Sequence, residues 1–269
     1  MINTQNISVI NLKKEAEGFC SFKKVLPNEV GGISIEYISM KGPHQISDPA
    51  FIGFYNVLLS LNGEANVELE NSSFKVGNAH IVKLPYNNSY ILYVEKGKEF
   101  HFLSFRKSLD QADQDIISQN RGDHSKVYIR AINECSVYTE DIKSSKTLNR
   151  MILPEGKVPR FCMGSVKTEG PDEVAEHEHP MLDQLFFGLE GCKCICVADG
   201  EEATLIENMM LHIPLGSKHS VAVKEGETLS YIWMDFFLTL EGQKYMNEQH
   251  LMEREQNRAN RSEITESNP

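Results

Sequence analysis

The alternation of apolar and polar residues along the chain is typical of a β protein. Runs of about four to eight residues rich in Val, Ile, Leu, Phe and Tyr recur, and Gly, Asn and Pro interrupt them at short intervals. This pattern predicts a β-sandwich or a β-barrel. Helical patterns are confined to two flanking segments, residues 109–120 and 240–257. The polar segment 258–269 is predicted to be a disordered tail.

The two halves of the sequence repeat one another. Gly42-Pro43 recurs as Gly170-Pro171, and the apolar pattern of residues 57–70 recurs over residues 185–198. All of the anchors keep nearly the same spacing if one residue is inserted in the second half. The remaining anchors are Gly63 with Gly191, Pro85 with Pro214, Val94 with Val223 and Gly97 with Gly226. Such a repeat indicates a duplicated domain.

The repeat divides the chain into five expected parts. These are an N-terminal extension (1–35), a first barrel (36–120), a linker (121–155), a second barrel (156–240), and a C-terminal helix with a disordered tail (241–269).

Composition narrows the class of protein. Apolar residues make up 41% and charged residues 24% of the chain, as in soluble globular proteins. There is no run of about eighteen apolar residues, which excludes a membrane-spanning protein. The formal net charge of -11 opposes binding to a nucleic-acid backbone. The N-terminal sequence lacks the features of a secretion signal, so we expect a cytoplasmic protein with reduced cysteines.

Three of the six cysteines alternate with other residues in one short segment. On a strand, Cys192, Cys194 and Cys196 would share one face. The repeat aligns them with the polar residues Glu64, Asn66 and Glu68, so this face need not be apolar. We interpret the cysteines as small sheet residues rather than as a thiol cluster for a metal, and their role stays open.

Four residues of the second half have the spacing of metal ligands. On a strand, His177 and His179 would project to the same side, and Gln184 follows them across a short turn. His219 follows a Pro-x-Gly turn on a later strand and would close the site from a neighbouring strand. Three imidazoles and one amide oxygen suit a divalent transition metal and leave positions open for water or substrate.

This arrangement resembles the two motifs of the cupin superfamily. The first motif is Gly, His-x-His, an acidic residue and Gly, and the second is Gly, Pro-x-Gly and His. Gln184 replaces the usual Glu, as in the pectin-degradation-type single cupins, and Asn208 replaces the first Gly of the second motif. The resemblance covers residues 163–237 closely and 36–107 loosely. It implies an all-β fold of two tandem cupin barrels, each a double-stranded β-helix or RmlC-like jelly roll, with short flanking helices.

Replacing Glu by Gln removes one negative charge from the metal ligands. A bound ion would keep its full charge, which favours Lewis-acid chemistry over oxidation chemistry. We therefore predict one divalent ion, with zinc, manganese, nickel and ferrous iron all suitable.

The first half lacks these ligands. In the repeat alignment Pro49 takes the place of His177, and Phe51 takes that of His179. Asn56 and Tyr90 stand for Gln184 and His219. We expect a metal-free first barrel filled by side chains such as Phe51, Phe54 and Tyr90.

Four further residues are candidates for the pocket. Tyr231 and Asp235 share one face of a predicted strand, where either would act as a general acid or base if that face lines the pocket. A core aromatic and a capping carboxylate are the alternative. Phe186 would form the apolar wall, and His212 would either line the pocket or face solvent.

Three functions are compatible with these features. The first is a metalloenzyme that isomerises, hydrolyses or eliminates from a sugar acid or another small carboxylate. This arrangement is similar to that of the two-barrel cupins that hold metal in the C-terminal half, such as ureidoglycine aminohydrolase and the uronate isomerases. The others are a ferrous dioxygenase and a non-catalytic ligand-binding cupin. Few residues of this sequence follow the second barrel, compared with the paired helix-turn-helix of sensing cupins, so we do not expect a DNA-binding regulator. A homodimer paired through sheet edges is expected.

Overall fold

The computed structural model describes residues 1–7, 11–246 and 248, which form two groups of β-strands. The first group comprises β2 (Cys20–Lys24), β3 (Ile33–Lys41), β4 (His44–Asp48), β5 (Phe54–Gly63), β6 (Ala65–Leu69), β7 (Ser72–Val76), β8 (His80–Lys83), β9 (Tyr90–Val94), β10 (Glu99–Ser108) and β11 (Tyr128–Ala131). The second group comprises β1 (Asn3–Asn6), β12 (Ser136–Tyr138), β13 (Leu148–Val158), β14 (Phe161–Glu169), β15 (Asp172–His177), β16 (Leu182–Gly188), β17 (Lys193–Ala198), β18 (Glu201–Ile206), β19 (Met209–Ile213), β20 (His219–Val223) and β21 (Thr228–Phe237).

Helices are few in the described residues. The helix predicted near residues 109–120 is α1 (Gln111–Gln119), and α2 (Arg121–His124) follows it. Asp110 begins α1 with a capping box, in which its side chain accepts from the N–H of Asp113 and the Asp113 side chain accepts in return. Residues 240–246 are helical as predicted, but most of the expected tail lies outside the described residues. No helix in the described ranges is both long and apolar enough to cross a bilayer.

Each group of strands forms a barrel of two facing sheets. In the first barrel, a sheet ordered β11-β8-β5-β10-β3-β2 faces one ordered β4-β9-β6-β7. In the second barrel, the sheet β1-β19-β16-β21-β14-β13-β12 faces β15-β20-β17-β18. All the pairings between named strands are antiparallel, and most of them connect non-consecutive strands, such as β5 with β10 and β16 with β21, as in a jelly roll. The predicted all-β fold of two tandem barrels with short flanking helices is confirmed.

Alternation along the strands separates the two faces of each sheet. On β10, Phe100 and Phe102 point into the first barrel, whereas Leu103 and Phe105 point out of it toward the second barrel. On β21, Tyr231 and Trp233 point inward and Ile232 points outward. This period of two is what a sheet with both faces buried requires.

The outward faces of the two large sheets share one apolar core. Phe105 of the first barrel lies 5.9 Å from Phe161 of the second, measured between ring centroids, and Phe161 stacks on Phe236 at 4.7 Å. Phe105 and Phe161 are fully buried, and burial of each contributes about 2 kcal/mol. The two barrels are therefore joined by a core comparable to their own interiors.

An arginine connects α1 to the second barrel. The Arg160 guanidinium donates to Asp113 Oδ1 at 2.8 Å, to Asp110 Oδ2 at 2.6 Å and to the carbonyl of Leu238 at 2.6 Å. Asp113 is fully buried, and the Arg160 side chain is 12% exposed. This buried ion pair fixes the helix between the barrels.

The N-terminal segment connects both barrels. Strand β1 pairs with β19 of the second barrel, whereas β2 pairs with β3 of the first. Strand β13, which pairs with β14, begins at Leu148 within the segment 121–155 that was expected to be a linker.

Candidate metal centre

Three histidines converge at one end of the second barrel. His177 ends β15, His179 follows it, and His219 begins β20 directly opposite His177 in the antiparallel ladder. One ring nitrogen from each of the three lies within 4.8 Å of those of the other two. The ring centroids of His177 and His219 are 4.2 Å apart. Imidazoles at such spacing can share one ion.

Backbone carbonyls fix the tautomers of two of these imidazoles. Nδ1 of His177 lies 2.8 Å from the carbonyl of Ala175, and Nδ1 of His219 lies 3.0 Å from that of Ser217. A carbonyl accepts only, so Nδ1 carries the proton and the lone pair is on Nε2. Nε2 of His219 is buried and has no hydrogen-bond partner among the described residues. Burial, followed by the nearby His177, lowers the pKa of His219 to about 4, so it is the neutral form that a metal ligand requires.

Gln184 directs an unused oxygen into the barrel. It lies on β16 opposite Asp235 of β21, and its side-chain N–H donates to Asp235 Oδ1 at 2.7 Å. That bond orients the amide, and its oxygen, Oε1, is buried without a hydrogen-bond partner in the part of the chain that the structure describes. A buried carbonyl oxygen left unpaired costs about 1 to 3 kcal/mol. The unpaired oxygen and the unpaired His219 Nε2 together fit a cation.

Asp235 supplies a carboxylate beside this donor set. Burial raises its pKa to about 7, the hydrogen bond from Gln184 opposes that rise, and the nearby Glu140 adds to it. A carboxyl group with a pKa near neutrality can either give or accept a proton.

Comparisons with known proteins find relatives by structure and not by sequence. No family model matches the sequence, and no curated protein matches it. A cupin 2 conserved barrel domain protein from Leptotrichia buccalis matches with a TM-score of 0.59 at 16% identity, covering 87% of this chain and 96% of the other. The chain has the cupin fold. A protein described as glyoxylate-induced, from Pseudomonas aeruginosa, matches with a TM-score of 0.64 at 12% identity over 82% and 83% of the two chains. A mutant of Bacillus subtilis oxalate decarboxylase matches with a TM-score of 0.59 at 13% identity over 87% and 79%.

Two of the predicted pocket residues lie inside the second cupin barrel. Phe186 and Tyr231 are 2% exposed, and their ring centroids are 4.6 Å apart. Phe186 also lies 6.1 Å from the ring of His219. Burial raises the pKa of Tyr231 far above its ordinary value, so the phenol stays protonated. The structure therefore brings both rings to the apolar wall behind the histidines.

His212 lies on the opposite face of its strand. Leu211 and Ile213 of β19 belong to the barrel interior, so His212 points outward. Its Nε2 lies 3.2 Å from Asp183 and its Nδ1 lies 3.2 Å from Glu29 of the N-terminal segment. It contributes to this polar contact and is not among the residues lining the barrel interior.

The segment between the barrels supplies polar groups that the sequence did not indicate. Lys143 and Glu140 form an ion pair of 2.5 Å, and both affect the pKa of Asp235. The hydroxyl of Tyr138 is buried and makes no hydrogen bond of ordinary length in the described part of the chain. Residues 138–143 lie between the two repeats, so neither the repeat nor the cupin motifs drew attention to them.

The first cupin barrel has an ion pair at the equivalent position. Asp48 pairs with Tyr90 in the ladder, as His177 does with His219, so the counterpart of His177 is Asp48 and the alignment with Pro49 was wrong by one residue. Arg106 lies opposite Asn56, as Asp235 lies opposite Gln184, and binds Asp48 Oδ2 at 2.6 Å.

Phe51 does not fill the interior of the first barrel, as the sequence suggested. It is 54% exposed, because it lies on the loop between β4 and β5 and not on a strand. Tyr90 is buried in that interior as predicted.

The three cysteines lie in the interior of the second barrel. Cys192, Cys194 and Cys196 are all nearly fully buried, and the first two sulfur atoms are 3.9 Å apart. The interior counterparts of Cys194 and Cys196 are Ala65 and Val67, so the alignment with Asn66 and Glu68 was wrong by one residue. The face is apolar, and the cysteines are small residues of the sheet that pack in the core.

Proposed function

We propose that the second cupin barrel binds one divalent metal ion through His177, His179, Gln184 and His219. The observation that carries this proposal is the convergence of three imidazole nitrogens within 4.8 Å. The buried, unpaired Oε1 of Gln184 supports it as the fourth ligand. All four ligands are neutral, and zinc, manganese, nickel and ferrous iron suit such a set.

We further propose non-redox chemistry on a small carboxylate, such as a sugar acid, by isomerisation, hydrolysis or elimination. A divalent ion in this site would polarise a carbonyl or hydroxyl group and lower the pKa of a bound water. Asp235 would accept or return a proton at its carboxylate, while Phe186 and Tyr231 would exclude water from one side. Two structural neighbours are named for glyoxylate and oxalate, which supports this class of ligand.

Metal analysis of the purified protein tests the metal site. We expect about one zinc, manganese or nickel ion per chain by plasma mass spectrometry, without the use of chelators. His177→Ala and His219→Ala should each abolish that content and leave the first barrel folded. His80→Ala, which changes a partly exposed histidine of the first barrel, is the matched control and should retain the metal. Metal retained by either triad variant would contradict the proposal.

The identity of the bound metal, combined with assays of oxygen uptake and of carboxylate turnover, separates the alternative functions. Iron together with oxygen uptake would support a ferrous dioxygenase instead. One bound metal with no turnover of any carboxylate would support a ligand-binding cupin.

We also propose a homodimer in the cytoplasm. Phe22 on the edge strand β2 is 57% exposed, so this edge offers both unpaired backbone groups and an apolar side chain. Light scattering during gel filtration should give twice the mass of one chain, and a mass of 30.5 kDa would refute the dimer. Cell fractionation tests the location.

A further inference from the structure

The segment that precedes the second barrel completes one wall of it. Strand β15 is an edge strand of its four-stranded sheet. Lys143 forms an antiparallel bridge with Val174 of that strand, and the N–H of Ala175 donates to the carbonyl of Ile142 at 2.9 Å. Tyr138 and Ile142 pack against the apolar interior of the barrel. The segment therefore continues the sheet and is not a loose connection.

Asp172 holds the far end of this segment in place. One oxygen of its carboxylate accepts hydrogen bonds from the hydroxyls of Ser144, Thr147 and Thr168 at 2.7, 3.0 and 2.7 Å. These bonds lower the pKa of Asp172 against the opposing effect of burial. The position of Lys143 is thus determined from both sides.

The side chain of Lys143 points into the second barrel. Directly opposed residues of an antiparallel pair project to the same side of the sheet. The partner of Lys143 in the bridge, Val174, is 2% exposed and belongs to the interior core. The Lys143 side chain is 5% exposed, so its ammonium is removed from bulk water.

The ammonium of Lys143 has more donors than partners. It has three N–H groups, and Glu140 Oε2, at 2.5 Å, is its one partner in the described part of the chain. A buried charge is costly unless its hydrogen bonds are satisfied. The remaining donors therefore suit an acceptor that enters the barrel.

The surroundings of Lys143 connect it to the donor set. Lys143 and Glu140 both affect the pKa of Asp235, and Asp235 binds Gln184. The buried hydroxyl of Tyr138 is close enough to Asp235 and Glu140 for both to raise its pKa, although burial is the main cause. A ligand that reaches from the histidines past Asp235 would meet these groups.

We propose that Lys143 binds a carboxylate of the ligand and that the Tyr138 hydroxyl donates a second hydrogen bond to it. The segment 138–143 is then the specificity-determining wall of the site, and Glu140 neutralises Lys143 in the absence of ligand. This inference rests on the proposed function, because the metal site holds the reacting end of the same ligand.

Calorimetric titration of the zinc-loaded protein tests the role of Lys143. The probes are oxalate and D-galacturonate, with D-galactose as the neutral counterpart of the latter. Lys143→Met should weaken binding of the carboxylates by at least about tenfold and leave binding of galactose unchanged. Lys146→Met is the matched control, because Lys146 is exposed in the same segment, and it should have no effect. Lys143→Arg should restore part of the affinity.

Glu140→Gln distinguishes recognition from a structural role. Removing the competing carboxylate should strengthen binding of both anions by about threefold or more, whereas loss of a purely structural ion pair would weaken it. Equal binding of the carboxylates by wild type and Lys143→Met, or no carboxylate binding by wild type at millimolar concentration, would overturn the inference. Zinc content, measured on the same samples, reports separately on the metal site: its absence from wild type would sink the proposed function instead.

Discussion

The ion pair between Arg160 and α1 gives the sharpest prediction about stability. Arg160→Met removes the guanidinium and keeps a long apolar side chain. Met also keeps a Cβ at a residue whose φ is 56°, so the backbone contribution changes little. We expect this single change to destabilise the whole protein, because Arg160 connects α1, which follows the first barrel, to the second barrel.

The size of the effect follows from the burial of Asp113. Its carboxylate is fully buried and receives two hydrogen bonds from Arg160, which also binds Asp110 and the Leu238 carbonyl. After Arg160→Met, the N–H of Asp110, at 3.3 Å, is the one remaining donor to the Asp113 carboxylate within the described ranges. Removing one partner of a buried ion pair costs about 3 to 5 kcal/mol, chiefly because the other charge stays buried.

Urea unfolding followed by fluorescence measures this cost. Trp233 is the one tryptophan of the chain and lies in the second barrel, so its emission reports on that barrel. The double variant Arg160→Met with Asp113→Asn removes the stranded charge and should recover about 1 to 2 kcal/mol. A loss below about 1 kcal/mol for Arg160→Met, the scale of an exposed ion pair, would refute the reasoning.

Three further predictions concern single side chains. Asp235→Ala frees the Gln184 amide and should weaken zinc affinity about 10- to 100-fold in calorimetry, and unchanged affinity would contradict the orienting role. Burial lowers the pKa of Lys83 from 10.5 to about 8, so the unfolded chain binds more protons between these pH values and stability rises with pH there. Lys83→Met should remove a pH dependence on the order of 2 kcal/mol in urea unfolding, and an unchanged profile would contradict this. Gly164→Ala places a Cβ against the Trp233 ring. It should lower the free energy of unfolding by about 1 to 3 kcal/mol and shift the emission maximum of Trp233. Emission and stability equal to those of the wild type would show that the ring has room to move.

The repeat predicted the architecture because its anchors have steric reasons that both halves share. A Cβ on Gly42 would overlap the carbonyl of Glu95, and one on Gly170 would overlap the carbonyl of Lys224. Glycine is therefore required at the same point of both barrels, and the repeated Gly-Pro pair is visible in the sequence. The two-residue period of side chains along a strand predicted that His177 and His179 would lie on the same side.

The error in the alignment of His177 arose where a strand is irregular. The ladder between β15 and β20 shifts between Val174 and His177, and this shift moves the counterpart of His177 from Pro49 to Asp48. A β-bulge adds one residue to one strand only, so an alignment that assumes regular strands places the residues that follow it one position off.

The role of residues 138–143 was beyond sequence reasoning for a different reason. Lys143 and Glu140 in a segment between two domains would ordinarily be solvated residues of a linker. Lys143 is buried because its segment pairs with the edge strand β15, and this pairing is visible only in the structure.

The core that joins Phe105 to Phe161 makes the two barrels dependent on each other. Either barrel alone would expose the apolar outer face of its large sheet to water, and such a patch promotes association or aggregation. Neither half can therefore lose that face without weakening the other. The polar contacts of the first barrel are not bound by this constraint, and its Arg106 and Asp48 form a partly exposed ion pair at 2.6 Å.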